Sequence, residues 1–191
     1  MFRDITYPDA SRLDALDETH TKFVMDEDTF RAFYDRTARG VWAYLVRVTG
    51  DRQMADDLLQ EAFYRFLRAD AEHDNETHRR NSLYRIATNL ARDARRRSLV
   101  RIPALIGGDD IERVAGRCNH AGETETQTDV SRAMSRMKPR ERAMLWLAYA
   151  EGASHREIAD VLGVSPDSMK SLLFRARRKM AELLRGKDGR Q

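Results

Sequence analysis

The sequence predicts an all-α protein. Two small helical domains, an N-terminal three- or four-helix bundle and a C-terminal helix-turn-helix domain, are joined by a flexible linker. Three observations lead there. Apolar residues recur at helical spacing in one segment after another, and no segment shows the period-two alternation of a half-buried strand. Four prolines and ten glycines in 191 residues leave little punctuation for an all-β fold. With 41% hydrophobic and 34% charged residues, the composition suits small helical domains with heavily charged surfaces.

The first 27 residues lack sustained periodicity and are acidic, so they form a loosely ordered tail. From Asp28, a suitable N-cap, apolar positions at Phe30, Phe33, Tyr34, Val41, Tyr44, Leu45 and Val48 mark a first helix. Trp42 and Val46 fall off that stripe, so this helix must bury a second face or offer it to a partner. Gly50 stops it, and Asp51 caps the next. The second helix, about 52–69, has a narrow core stripe at Ala55, Leu59, Ala62, Phe63 and Phe66. After the polar loop "HDNETHRRN", a third helix over about 80–97 packs through Leu83, Ile86, Ala87, Leu90 and Ala94.

The first domain thus spans 28–97, the linker 98–127 and the second domain 128–186. Gly107-Gly108 and an absence of period identify the linker. Past it come a helix at about 129–137 and another with Pro139 in its first turn. Ser154 with Glu157 makes a capping box for the next helix, and Gly163 ends it. Ser165 and Pro166 open the last. Two short helices joined this tightly have the spacing of a helix-turn-helix.

Charge is distributed in blocks. The formal net charge is only +3, but arginine crowds 79–101 and basic residues crowd 170–187. Two separate contacts with phosphate are therefore expected. At 100° per residue, Met169, Leu173, Ala176 and Met180 form the inward stripe of the last helix. Asp167, Ser171, Phe174, Arg175 and Arg178 point the other way, a set suited to phosphates and base edges in a major groove. The third helix directs Arg85, Thr88, Asn89, Arg92 and Arg96 outward, and the loop before it would hold an unstacked base. The second helix presents Asp57, Glu61 and Tyr64 outward with Leu58 and Gln60 at the margins. Carboxylates beside an exposed Leu and Tyr repel DNA and suit a basic protein surface.

Three stretches, "DDLLQEAFYRFLRA", "LYRIATNLARDARRR" and "MKPRERAMLWLAYAEGASHREIADVLGVSPDSMKSLLFRARRKM", resemble in order the conserved regions of extracytoplasmic function (ECF) sigma factors. The resemblance runs from about residue 28 to 185. It implies a promoter-specificity subunit of RNA polymerase. Asp57, Leu58, Gln60 and Glu61 would meet the clamp helices of the β′ subunit. Asn81, Arg85, Asn89 and Arg92, with Arg96 on the same outward face, would recognise and melt the −10 element. Ser168, Lys170, Ser171, Phe174 and Arg175, with Arg178 beside them, would read the −35 element, and this domain would also touch the β flap. The acidic linker, with Asp109, Asp110, Glu112, Glu123 and Glu125, would follow a path shaped for RNA. An anti-sigma factor is a further expected partner, and the free chain is expected to be a monomer. The sequence departs from the family pattern at Leu172, where relatives often carry Arg, and at Ser82, where they often carry Trp.

No catalytic residue, cofactor or metal site is expected. The histidines lack metal-ligand spacing, and Cys118 with His120 supplies two ligands where structural zinc needs four. There is neither a phosphate-cradling glycine loop nor a nucleophile motif. A single cysteine and the lack of a long apolar run point to a cytoplasmic protein without membrane insertion. A stand-alone helix-turn-helix regulator, or a sigma-like decoy for an anti-sigma factor, is the alternative reading.

Overall fold

The computed structural model describes residues 25–69, 75–101 and 129–185. The acidic tail before Met25, the centre of the polar loop and the linker with its carboxylates lie outside the described residues. Seven helices and no strand are present among those described. They are α1 (Glu27–Thr49), α2 (Arg52–Arg68), α3 (Glu76–Arg101), α4 (Asp129–Ser135), α5 (Pro139–Tyr149), α6 (His155–Leu162) and α7 (Pro166–Arg185).

The helix starts follow from local chemistry. Asp26, not Asp28, caps α1, its carboxylate accepting the Thr29 N–H at 2.9 Å. Asp28 instead joins Glu27 in the first turn, where negative charge offsets the helix dipole. Gly50, at φ 80°, ends α1, and Asp51 caps α2 by accepting the Met54 N–H at 3.0 Å. The third helix starts at Glu76, earlier than expected, and runs to Arg101, so most of the expected loop is helical. Asn75 explains the early start, since its side chain accepts the His78 N–H at 2.9 Å.

Helices α1, α2 and α3 pack pairwise. Phe33 stacks on Phe66 with ring centroids 5.1 Å apart, and Phe63 meets Phe33 edge-on. Deeper in, Tyr44 crosses Tyr84 at 82°. The Thr88 hydroxyl donates to the Tyr84 carbonyl at 2.7 Å, so Tyr44 must donate its own hydroxyl to Thr88, 2.6 Å away. Thr88 is therefore buried, contrary to its expected outward position. The small residue and its two hydrogen bonds fill the gap between α1 and α3.

In the C-terminal half, α7 lies against α4, α5 and α6. Met169, Leu173 and Ala176 are buried, as the inward stripe predicts. The two halves do not stand apart. Helix α1 packs on α5, α3 packs on α6, and the buried residues of both halves form one continuous core. Trp42 and Val46 belong to the second face of α1 and pack against that core.

Candidate nucleic-acid interface

The helix-turn-helix is set by its capping. Ser154 N–H donates to the Glu157 carboxylate at 2.7 Å, and Glu157 N–H donates back to Ser154 Oγ at 3.3 Å. Hydrogen bonds from the Ser154 side chain and backbone N–H hold the Glu157 carboxyl below the usual carboxylate range. Gly163, at φ 64°, reverses the chain, and α7 begins immediately after Ser165. Glu141 anchors α7 from behind. Its carboxylate accepts from Lys179 at 2.7 Å and from the Lys138 N–H at 2.8 Å. Burial alone would raise the Glu141 carboxyl, but these donors outweigh it and the pKa is lowered.

With its back fixed in this way, α7 presents Asp167, Ser168, Lys170, Ser171, Phe174, Arg175 and Arg178 to solvent. Phe174 is 57% exposed, a large aromatic with no packing role that would account for its position. Among the described residues, Lys170 and Arg175 enter no ion pair, whereas Arg178 is held by Glu182 at 2.9 Å. Ser171 Oγ donates to the Ser168 carbonyl, which orients the hydroxyl along the helix. Leu172 is half-buried, so it cannot offer the phosphate contact of an Arg.

On α3, Arg85, Asn89 and Arg96 are exposed. Arg96 reaches Asp93 at 3.2 Å. Asn81 and Arg92 are engaged with the other half of the molecule. Asn81 Nδ2 donates to Glu157 at 3.1 Å, and Arg92 donates to the Leu162 carbonyl at the C-terminal end of α6 at 3.2 Å. Eleven residues apart on a helix, these two share a face to within about 20°. Helix α6 lies along that face.

On α2, Asp57, Gln60 and Tyr64 are exposed and Glu61 is half-buried, bound to Arg65 at 2.6 Å. Leu58 is different. At 7% exposure it belongs to the core, on a helix that packs against both α1 and α3. It supports the acidic face from within and is not part of it. Sequence reasoning also missed Arg47, which donates to Ser131 at 2.6 Å, and the second role of Glu157. Both bridge the two halves.

Comparison with known proteins matches this architecture half by half. The model described as Sigma-70 region 2 matches residues 33–99, and that described as Sigma-70, region 4 matches residues 127–180. The ECF RNA polymerase sigma factor SigE of Mycolicibacterium smegmatis is 31% identical over 180 residues, covering 83% of this chain and 69% of the relative. The chain belongs to the ECF sigma factor family. The RNA polymerase sigma factor CarQ of Myxococcus xanthus is 28% identical over 158 residues, 83% of this chain and 90% of its own. In fold, this sigma factor resembles RpoE solved with the anti-sigma factor NepR from Bartonella quintana. That match has a TM-score of 0.63 at 20% identity, covering 82% of this chain and 96% of that one. It also resembles CnrH solved with the cytosolic domain of CnrY, with a TM-score of 0.59 at 22% identity, covering 84% and 90%. As a sigma factor it directs promoter-specific initiation of transcription, a regulatory role in which its relatives are non-catalytic subunits. Its region 2 match takes in α1 from Phe33, all of α2 and most of α3. The region 4 match takes in α4, α5, α6 and α7 as far as Met180.

Proposed function

We propose that this sigma factor divides its work among three faces. Asp57, Gln60 and Glu61 of α2 bind the clamp helices of the polymerase β′ subunit. Arg85, Asn89, Arg92 and Asn81 of α3, with Arg96, take up the −10 element as its strands separate. Ser168, Lys170, Ser171, Phe174, Arg175 and Arg178 of α7 enter the major groove of the −35 element, while the same half meets the β flap. Residues 28–97 and 128–186 are the two working domains, and 98–127 connects them through the polymerase. It acts in the cytoplasm, with an anti-sigma factor as a further partner.

The observation that carries this reading is the exposed Phe174–Arg175 pair on a helix whose opposite side is locked by Met169, Leu173 and Lys179–Glu141. An aromatic and an unpaired guanidinium held outward on a rigid helix supply apolar contact for a base and a bidentate donor for guanine. Reconstitution with core polymerase, followed by run-off transcription from a library of random promoters, tests it. Transcripts that begin downstream of a shared pair of elements are the expected result. Tight, sequence-specific duplex binding by the free chain, with no transcript in the presence of core, would identify a stand-alone regulator instead.

A further inference from the structure

Two basic side chains of α7 reach back to α5 instead of outward. Lys179 donates to the Glu141 carboxylate at 2.7 Å, and both side chains are partly buried. The same Glu141 oxygen accepts the Lys138 N–H at 2.8 Å, so the carboxylate cannot swing away without giving up the cap of α5. Arg177 donates to the Tyr149 hydroxyl, at 3.4 Å a looser contact. At about 100° per residue, Arg177 and Lys179 fall about 80° to either side of Met169 and so flank the inward stripe. Their partners stand near opposite ends of α5, about 12 Å apart along its axis. Helix α5 therefore lies across the back of α7 and meets it on both flanks.

The apolar stripe by itself resists separation of the helices better than rotation. Met169 and Met180 are unbranched and adapt their shape, Ala176 is small, and Leu173 is the only branched side chain among the four. Base reading tolerates little rotation. A turn of about 20° moves a group about 6 Å from the helix axis by about 2 Å, whereas hydrogen-bond lengths span only about 0.5 Å. We propose that Lys179–Glu141, with Arg177–Tyr149 on the opposite flank, sets the rotation of α7 about its own axis, which makes Glu141 and Lys179 positioning residues for base readout. This rests on the −35 assignment above. It also takes Lys179 out of the phosphate contacts that the basic run over 170–187 suggests. Burial opposes ionisation of Glu141, but its donors outweigh burial and lower the carboxyl, so it remains a carboxylate at neutral pH.

The test uses the full chain as holoenzyme with core polymerase, carrying Lys179→Met, Glu141→Gln or both. Methionine keeps the straight apolar stem and helix propensity of lysine, and glutamine keeps an acceptor for the Lys138 N–H. Binding to a promoter with the preferred −35 element, and to its single-base variants, is measured at several salt concentrations. Lys179→Met should lose discrimination between these promoters several-fold, at unchanged helicity and with the salt dependence of wild type. Glu141→Gln should lose less, since a neutral acceptor still holds the ammonium weakly. The double variant should discriminate no worse than Lys179→Met, because both changes break one contact; a further loss would separate the two residues and overturn the pairing. A shallower salt dependence for Lys179→Met would make Lys179 a phosphate contact and overturn the proposal. Wild-type discrimination in folded Lys179→Met would do the same, and Lys179→Gln decides in its place if that protein does not fold. Arg175→Ala is the control. If it also discriminates like wild type, the −35 assignment fails; if it alone relaxes discrimination, only the positioning role fails.

Discussion

Trp42 of α1 donates its indole N–H to Asp56 of α2 at 2.6 Å, and the next residue, Asp57, is left facing solvent. Adjacent positions on a helix lie about 100° apart, so tying Asp56 to α1 fixes where Asp57 points. Asp56→Ala should destabilise the N-terminal half by about 0.5–1.5 kcal/mol in urea unfolding, the worth of one hydrogen bond. Its affinity for core polymerase should fall less than that of a variant at Asp57.

Asp57→Arg should leave the fold intact, since the side chain is exposed, and should weaken assembly with core polymerase. Titration of labelled core with the variant checks this. Assembly at wild-type affinity would remove α2 from the polymerase interface.

Leu58→Ala and Gln60→Ala separate packing from contact on the same helix. Leu58 is buried, so its truncation should cost about 2–5 kcal/mol of stability. Gln60→Ala, on the exposed side, should stay within about 0.5 kcal/mol of wild type. Denaturant midpoints for the two proteins decide it.

Arg175→Ala should cost about 1–3 kcal/mol at a promoter with the preferred −35 element and relax sequence preference at one base. Lys170→Ala should weaken binding about equally across sequences and reduce the salt dependence by about one phosphate. Holoenzyme binding to a set of single-base promoter variants, repeated at several salt concentrations, distinguishes these roles.

Glu141 and Glu157 make the C-terminal half sensitive to acid. Both carboxyls are lowered in the folded state from the ordinary value of 4.5. A depressed carboxylate contributes stability that is complete above its unfolded pKa and disappears as pH falls through the lower folded pKa. Thermal melts should therefore hold steady from neutral pH to about 5 and then decline in this contribution. Glu141→Gln should flatten that decline. An identical acid limb in the variant would show that the Lys179 contact is not what the folded state protects.

Much of the fold could be read from the residues because it rests on local rules. Asp51, Gly50, Ser154, Glu157 and Gly163 set helix ends through bonds spanning a few residues, and each acts where periodicity placed it. The outward set on α7 followed from one inward stripe of Met169, Leu173 and Ala176. The same method failed at Thr88 because α3 is covered by α1, α2 and α6, and at Leu58 because α2 packs against both α1 and α3. A helix with neighbours on several sides has no single buried stripe, so a one-stripe wheel assigns its margins to solvent. Asn81 and Arg92 are polar groups whose partners lie 76 and 70 residues away, beyond any local pattern.

Asn81 and Arg92 each give a donor to α6 while standing on the helix offered to a promoter. A substitution at either position that changes which bases are preferred would also remove a bond between the two halves. Selection for a new set of target genes through those two sites would then carry a penalty in the cohesion of the folded chain.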